Sequence, residues 1–127
     1  MELIKYMKKA QSSKFYRRLV SIGLNRMVPF NYPHRFKIEE VKDNSLSVRL
    51  PYIKRNLNHL KGLHACALAT LAEVSSGLLL ISNLDPRKYR IILKKLEVDY
   101  LYQGKTDALG TFQFTEGDMS TKIIEPL

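Results

Sequence analysis

The chain has 127 residues, 45% hydrophobic and 26% charged, the profile of a single soluble globular domain without low-complexity tracts. One cysteine, Cys66, excludes an intramolecular disulfide framework and fits a reducing cytoplasm. The formal charge of +9 points to anionic partners: nucleic acid, an acidic membrane surface or a phosphorylated ligand.

Residues 3–27 read as one amphipathic helix, with Leu3, Ile4, Met7, Phe15, Leu19, Ile22, Leu24 and Met27 at roughly helical spacing. Pro29 and Pro33 end it, which sets an N-terminal helix, residues 1–28, apart from the main body, residues 29–127. This terminus has no apolar stretch or small-residue cleavage site of a signal peptide. Residues 1–38 hold Lys5, Lys8, Lys9, Lys14, Arg17, Arg18, Arg26, Arg35 and Lys37 against Glu2 alone. The patch is either a polyanion site or a solvated helix face; charge by itself does not choose.

From Phe36 the period falls to two. Residues 36–42 and 45–50 alternate apolar and polar side chains about a turn at Asp43-Asn44, the pattern of a hairpin with one buried face, and Pro51 closes its second strand. After a loop at 54–61 the chain turns small and apolar. A helix is predicted from about Leu63 to Ser76, with Gly77 as its stop. Residues 78–82 fit either a buried strand or one more helical turn. A turn at 83–88, a long strand at 89–102, a second turn at 103–107 and another strand at 108–115 follow, the last with Leu109, Thr111 and Gln113 opposite Gly110, Phe112 and Phe114. Asp118 is placed to cap a short helix ending at Pro126. This order predicts an α+β domain whose central helix is wrapped by a curved antiparallel sheet. Residues 63–82 approach the roughly 20 apolar residues that cross a bilayer, but Glu73, His64 and Ser75-Ser76 argue against lipid, so no membrane span is expected.

The central helix carries the candidate chemistry in Asn58, His64 and Glu73. Glu73 lies nine residues beyond His64, two and a half turns, so the two side chains leave opposite sides of the helix about 13 Å apart along its axis. They cooperate only if a second protomer brings one Glu73 to the other chain's His64 end, as a two-fold dimer does. A carboxylate desolvated there has its pKa pushed up, which suits a base or nucleophile near neutral pH. The first-turn amides around Ala65 and Cys66 are orphan donors able to hold an oxyanion. The alternative is that Glu73 is a partnered structural carboxylate and His64 a cap. Cys66 is either a nucleophile activated by the helix N-terminus or a small buried residue. His59 and His64, five apart, do not share a helix face, so no metal site is expected.

The pattern Asn58-x5-His64-Ala-Cys-x6-Glu73 resembles the signature of hotdog-fold thioesterases of the phenylacetate-pathway type. The longer phrase Leu57-Asn-His-Leu-Lys-Gly-Leu-His-Ala-Cys-Ala-Leu-Ala-Thr-Leu-Ala-Glu resembles an uncharacterised thioesterase-like subfamily. The likeness runs more loosely from Pro29 to Phe114. It implies a hotdog fold and hydrolysis of an acyl-CoA, with Glu73 as catalytic carboxylate, the Cys66 amide binding the oxyanion, and Asn58 and His64 positioning thioester or water. It further implies a homodimer or higher homo-oligomer with shared sites, and no cofactor beyond the coenzyme A of the substrate. Coenzyme A carries phosphates, for which the N-terminal cations and Arg87, Lys88 and Arg90 are candidates. Three departures stand out: Ala65-Cys66 replaces the usual Gly-Gly, Glu73 replaces the more usual Asp, and the fold's last hairpin of two strands is expected to be lacking, leaving a truncated version or a sheet edge completed otherwise. The competing class is a non-catalytic module binding acyl groups or nucleic acid through the basic face.

Overall fold

Ser13 divides the expected N-terminal helix in two. In the computed structural model, which describes residues 2–115, α1 spans Glu2–Ala10 and α2 spans Lys14–Met27. Ser13 is extended, and its hydroxyl accepts the Tyr16 N–H at 3.4 Å. A serine at this position satisfies a first-turn donor that would otherwise have no partner. The Arg17 guanidinium closes the break from the other side by donating to the Ala10 carbonyl at 3.0 Å, where the helix dipole favours a cation. The bend lets Met7 and Ala10 of α1 and Val20 of α2 enter the same core. A 3-10 helix, Pro29–His34, ends the unit at Arg35, whose backbone is left-handed (φ 56°, ψ 48°).

The predicted hairpin forms as β1, Lys37–Val41, and β2, Ser45–Leu50, and β2 pairs on its other side with β3, Ala108–Gln113. Both pairings are antiparallel. Ile38 and Val41 are both buried although three residues apart. The register shifts between Ile38 and Glu40, and this bulge returns Val41 to the core face that strict alternation would deny it. Phe36, Leu46, Val48 and Leu50 are fully buried, each stabilising the fold by about 1.5–3 kcal/mol. The outer edge of β1 is not bare: the Ser21 hydroxyl accepts the Ile38 N–H at 2.9 Å. Asn25 in turn accepts from Phe36 N–H at 3.1 Å and donates to its carbonyl at 2.9 Å.

The central helix α3 runs Ala65–Ser82, so it passes through Gly77 and continues to the end of the apolar run. Gly77 is therefore an interior residue and not a stop. Leu78 and Leu79 are buried, and this packing outweighs the roughly 1 kcal/mol that glycine costs inside a helix. Ala67, Leu71, Val74 and Leu78 form the buried stripe at helical spacing, seated on β2 and β3. By length and hydropathy α3 would cross a bilayer, but here it is the helix against which the sheet packs.

The long strand expected at 89–102 does not form. These residues alternate well enough, but no strand among the described residues lies beside them to complete a ladder, and Ile92, Leu101 and Tyr102 are exposed. Their far end is anchored: the Tyr100 hydroxyl donates to the Ala65 carbonyl at 2.8 Å and Leu63 N–H to the Gly104 carbonyl at 2.8 Å. In β3 the predicted alternation holds, with Leu109 and Thr111 outward and Gly110 and Phe112 partly buried. The helix expected from Asp118 to Pro126 lies outside the described residues.

Candidate functional site

The start of α3 is held by Asn56, which the sequence pattern did not single out. It is fully buried, and its Nδ2 donates to the Pro51 and His34 carbonyls at 2.9 and 3.0 Å. That orientation turns Oδ1 toward the His34 ring, 2.8 Å from Nδ1. Since an amide oxygen only accepts, the neutral His34 carries its proton on Nδ1 and keeps Nε2 as an acceptor. The Asn56 carbonyl accepts the His64 N–H at 2.7 Å. One residue thereby joins the 3-10 segment and the residue after β2 through its side-chain amide, and the cap of α3 through its backbone carbonyl. An asparagine in a polar loop gives no local sign of this; only the chain's return from Pro29–His34 creates the partners.

Asn58 faces its own loop. Its Oδ1 accepts from Leu60 and Gly62 N–H at 2.9 and 3.0 Å, an Asx-type closure. His64 is the N-cap of α3: its Nδ1 accepts the Cys66 N–H at 3.0 Å. The amide expected to be an orphan is therefore taken by the imidazole, and both His64 and Cys66 are exposed. For this amide to meet an oxyanion, the His64 ring must first rotate away. Cys66 is a free, exposed thiol, which removes the reading of it as a buried packing residue.

Glu73 stands mid-way along α3, half-buried. It lines a groove of about 670 Å³ between α3, α2 and the 3-10 segment, with Leu19, Leu24, Met27, Phe30 and Ile81 among its walls. Its carboxylate has no hydrogen-bond or ion-pair partner among the described residues, so the partner that the structural reading requires does not stand among them. Within one chain it is not brought to His64, as the nine-residue offset requires. The crossing of α2 over α3 that makes the groove is tertiary, and no local signal announces it.

Arg87, Lys88 and Arg90 are exposed after the end of α3. Arg87 turns back on Asp85, whose carboxylate accepts its backbone N–H at 2.9 Å and its Nε at 3.3 Å. None of the three lines the Glu73 groove. Six of the nine N-terminal cations, Lys14, Arg17, Arg18, Arg26, Arg35 and Lys37, instead line a second groove, of about 840 Å³, between α2 and β1. No group of three or more His, Cys, Asp and Glu suited to a metal occurs among the described residues.

An antiparallel sheet packed on one long apolar helix defines the class as α+β of the central-helix type. Residues 16–125 match the model of a family described as a domain of unknown function, DUF4442, and the chain belongs to that family. No curated protein matches its sequence. The solved structure of a Pseudomonas aeruginosa protein of unknown function, described as a probable thioesterase, is similar at TM-score 0.70 and 20% identity, over 83% of this chain and 74% of that one. A Shewanella oneidensis protein whose assignment as a thioesterase is itself provisional gives TM-score 0.67 and 15% identity, over 79% of this chain and 71% of that one. A third structure, of a genomics target, gives TM-score 0.69 and 22% identity, over 86% and 72%. At these identities the likeness establishes the fold, a hotdog fold of which three strands form among the described residues.

Proposed function

We propose that the protein is a thioesterase of the hotdog type that hydrolyses an acyl thioester of coenzyme A, with Glu73 as base or nucleophile. The observation that carries this reading is Glu73 itself, a carboxylate with no partner among the described residues, opening from an apolar helix onto an apolar groove of about 670 Å³. That volume lies within the range of small-molecule sites, and its leucine, methionine and isoleucine walls suit an acyl chain. As a base, Glu73 takes a proton from water while the water oxygen bonds to the thioester carbon. The carbon–sulfur bond then breaks, and coenzyme A leaves as a thiolate that picks up a proton. As a nucleophile, the carboxylate bonds to the thioester carbon, the carbon–sulfur bond breaks and coenzyme A leaves as a thiolate that picks up a proton; water then cleaves the mixed anhydride, releasing the acid and restoring Glu73.

The likeness to structures described as thioesterases supports the reading, as does the phenylacetate-type spacing of Asn58, His64 and Glu73. In this scheme the Cys66 amide holds the oxyanion once the His64 ring swings aside, while Asn58 and His64 place the thioester or the water. Glu73 and His64 come from different protomers of a homodimer, in the cytoplasm, and no further cofactor takes part.

The test is a panel of short, aromatic and long acyl-CoAs assayed with wild type and Glu73→Gln. We expect at least one substrate to be turned over, with kcat reduced by about a hundredfold or more in the variant and an unchanged melting temperature. No turnover across the panel, or full activity in the variant, refutes the assignment. Absence of turnover together with salt-steep nucleic-acid binding would favour a binding module. Sedimentation addresses the dimer separately, since a monomer at micromolar concentration ends the shared-site scheme.

A further inference from the structure

The groove between α2 and β1 has a composition that the thioester chemistry does not require. Lys14, Arg17, Arg18, Arg26, Arg35 and Lys37 line its roughly 840 Å³, against a single carboxylate, Glu39. Glu39 is already engaged, accepting from Arg49 Nε at 2.6 Å. Arg17 spends one guanidinium N–H on the Ala10 carbonyl, but the other five side chains have no ion-pair or hydrogen-bond partner among the described residues. Six cations lining one concavity raise the local positive potential, which favours an anionic occupant.

Three more features narrow the ligand. Phe15, Ile22 and Tyr32 belong to the same concavity and are 63%, 44% and 51% exposed, so a planar apolar group has faces to stack on beside the cations. The floor is rigid, because Ser21 and Asn25 tie α2 to β1 through bonds of 2.9 to 3.1 Å. Arg35 reaches the rim from a left-handed backbone that arginine ordinarily avoids. A duplex or a bilayer presents a convex or flat surface and does not enter a concavity. A small molecule with several negative charges and one aromatic ring does.

We infer that this groove is a nucleoside-phosphate site, with phosphates on Arg18, Arg35 and their neighbours and the base against Phe15 or Tyr32. Where the thioesterase reading holds, the inference deepens it and rests on it for the ligand's identity: the occupant is the phosphoadenosine end of coenzyme A. The ADP arm of the test does not depend on that reading.

The test is calorimetric binding of ADP, free coenzyme A and adenosine to wild type, Arg18→Glu/Arg35→Glu, Lys14→Glu/Arg26→Glu and Lys94→Glu/Lys95→Glu. The last pair has the same charge change on exposed residues outside the groove. ADP and coenzyme A are expected to bind alike, adenosine about tenfold or more weakly, and either groove variant to weaken ADP by about tenfold or more. The outside pair should stay within about threefold, since distant exposed charges are screened. Two groove variants are included so that one misfolded protein does not end the experiment. The inference is overturned if adenosine binds as well as ADP, or if groove and outside variants behave alike. It is likewise overturned if anionic vesicles or duplex DNA bind while ADP does not. Glu73→Gln separates the two readings, because it keeps ADP affinity whether or not hydrolysis is lost. ADP binding without any thioester turnover sinks the catalytic reading alone, whereas turnover with KM indifferent to the groove variants sinks the placement of coenzyme A in this groove and leaves the catalytic reading standing.

Discussion

Replacing Asn56 with alanine tests the claim that one buried side-chain amide ties the 3-10 segment to the loop leading into α3. The change strips the hydrogen bonds to the Pro51 carbonyl, the His34 carbonyl and His34 Nδ1. A buried polar group left unpaired costs about 1–3 kcal/mol. Three such groups set an upper bound near 9 kcal/mol, but His34 is only half-buried and water reaches part of what is exposed. About 3–5 kcal/mol is the resulting expectation, a large share of the roughly 5–15 kcal/mol that stabilises a domain of this size. Urea unfolding followed by circular dichroism measures it, with an unchanged slope showing that the unfolded state is not the cause. Asn56→Asp sharpens the test, because it keeps the shape and the acceptor facing His34 but sets a carboxylate oxygen against two carbonyls. It should cost as much as alanine. A loss below about 1 kcal/mol in the alanine variant, or an aspartate variant as stable as wild type, refutes the account.

Gly110 faces α3 from the sheet, and a Cβ there would lie 2.8 Å from Leu71 Cγ and 3.2 Å from both its methyls. Gly110→Ala should therefore destabilise by about 1–3 kcal/mol through overpacking, and an unchanged urea midpoint would show that the helix is free to lift. At Gly77 an added methyl meets only Glu73 Oε1, at 3.6 Å. Gly77→Ala should stabilise by about 0.5–1 kcal/mol through helix propensity; a lower midpoint counts against the continuous helix. The Asp85 carboxyl is held below its ordinary pKa, first by the Arg87 backbone N–H and then by the Arg87 side chain. A lowered folded pKa stabilises above the unfolded carboxylate's pKa and ceases to do so as pH falls through the folded value. Wild type should thus exceed Asp85→Asn slightly at neutral pH and converge with it in acid, and a gap that widens on acidification contradicts the assignment.

The parts legible in the sequence are those set by local pattern. The hairpin about Asp43-Asn44, the buried stripe of α3 and the alternation of Gly110 and Phe112 follow from period and turn chemistry alone. The misreadings each trace to a competing force. Ser13 breaks a helix that apolar spacing would continue, because a capping serine is worth more than one further turn. Gly77 fails to stop α3, because burial of Leu78 and Leu79 outweighs propensity. Residues 89–102 have the alternation of a strand but no neighbour to pair with among the described residues, and a ladder is a property of two segments. At the site, the helix and its lone carboxylate were visible, while the groove beside Glu73 depends on where α2 crosses. The capture of the Cys66 amide by His64 depends on a rotamer, and neither is encoded in spacing.

The two borders of the sheet are not equivalent. On the β1 side, Ser21 and Asn25 occupy donors and an acceptor that an incoming strand would need. On the β3 side no described segment lies beyond the ladder with β2. Among the described residues, strand addition is thus blocked at β1 and directed to the β3 side, so the side chains of α2 act as a stop against growth of the sheet through both borders.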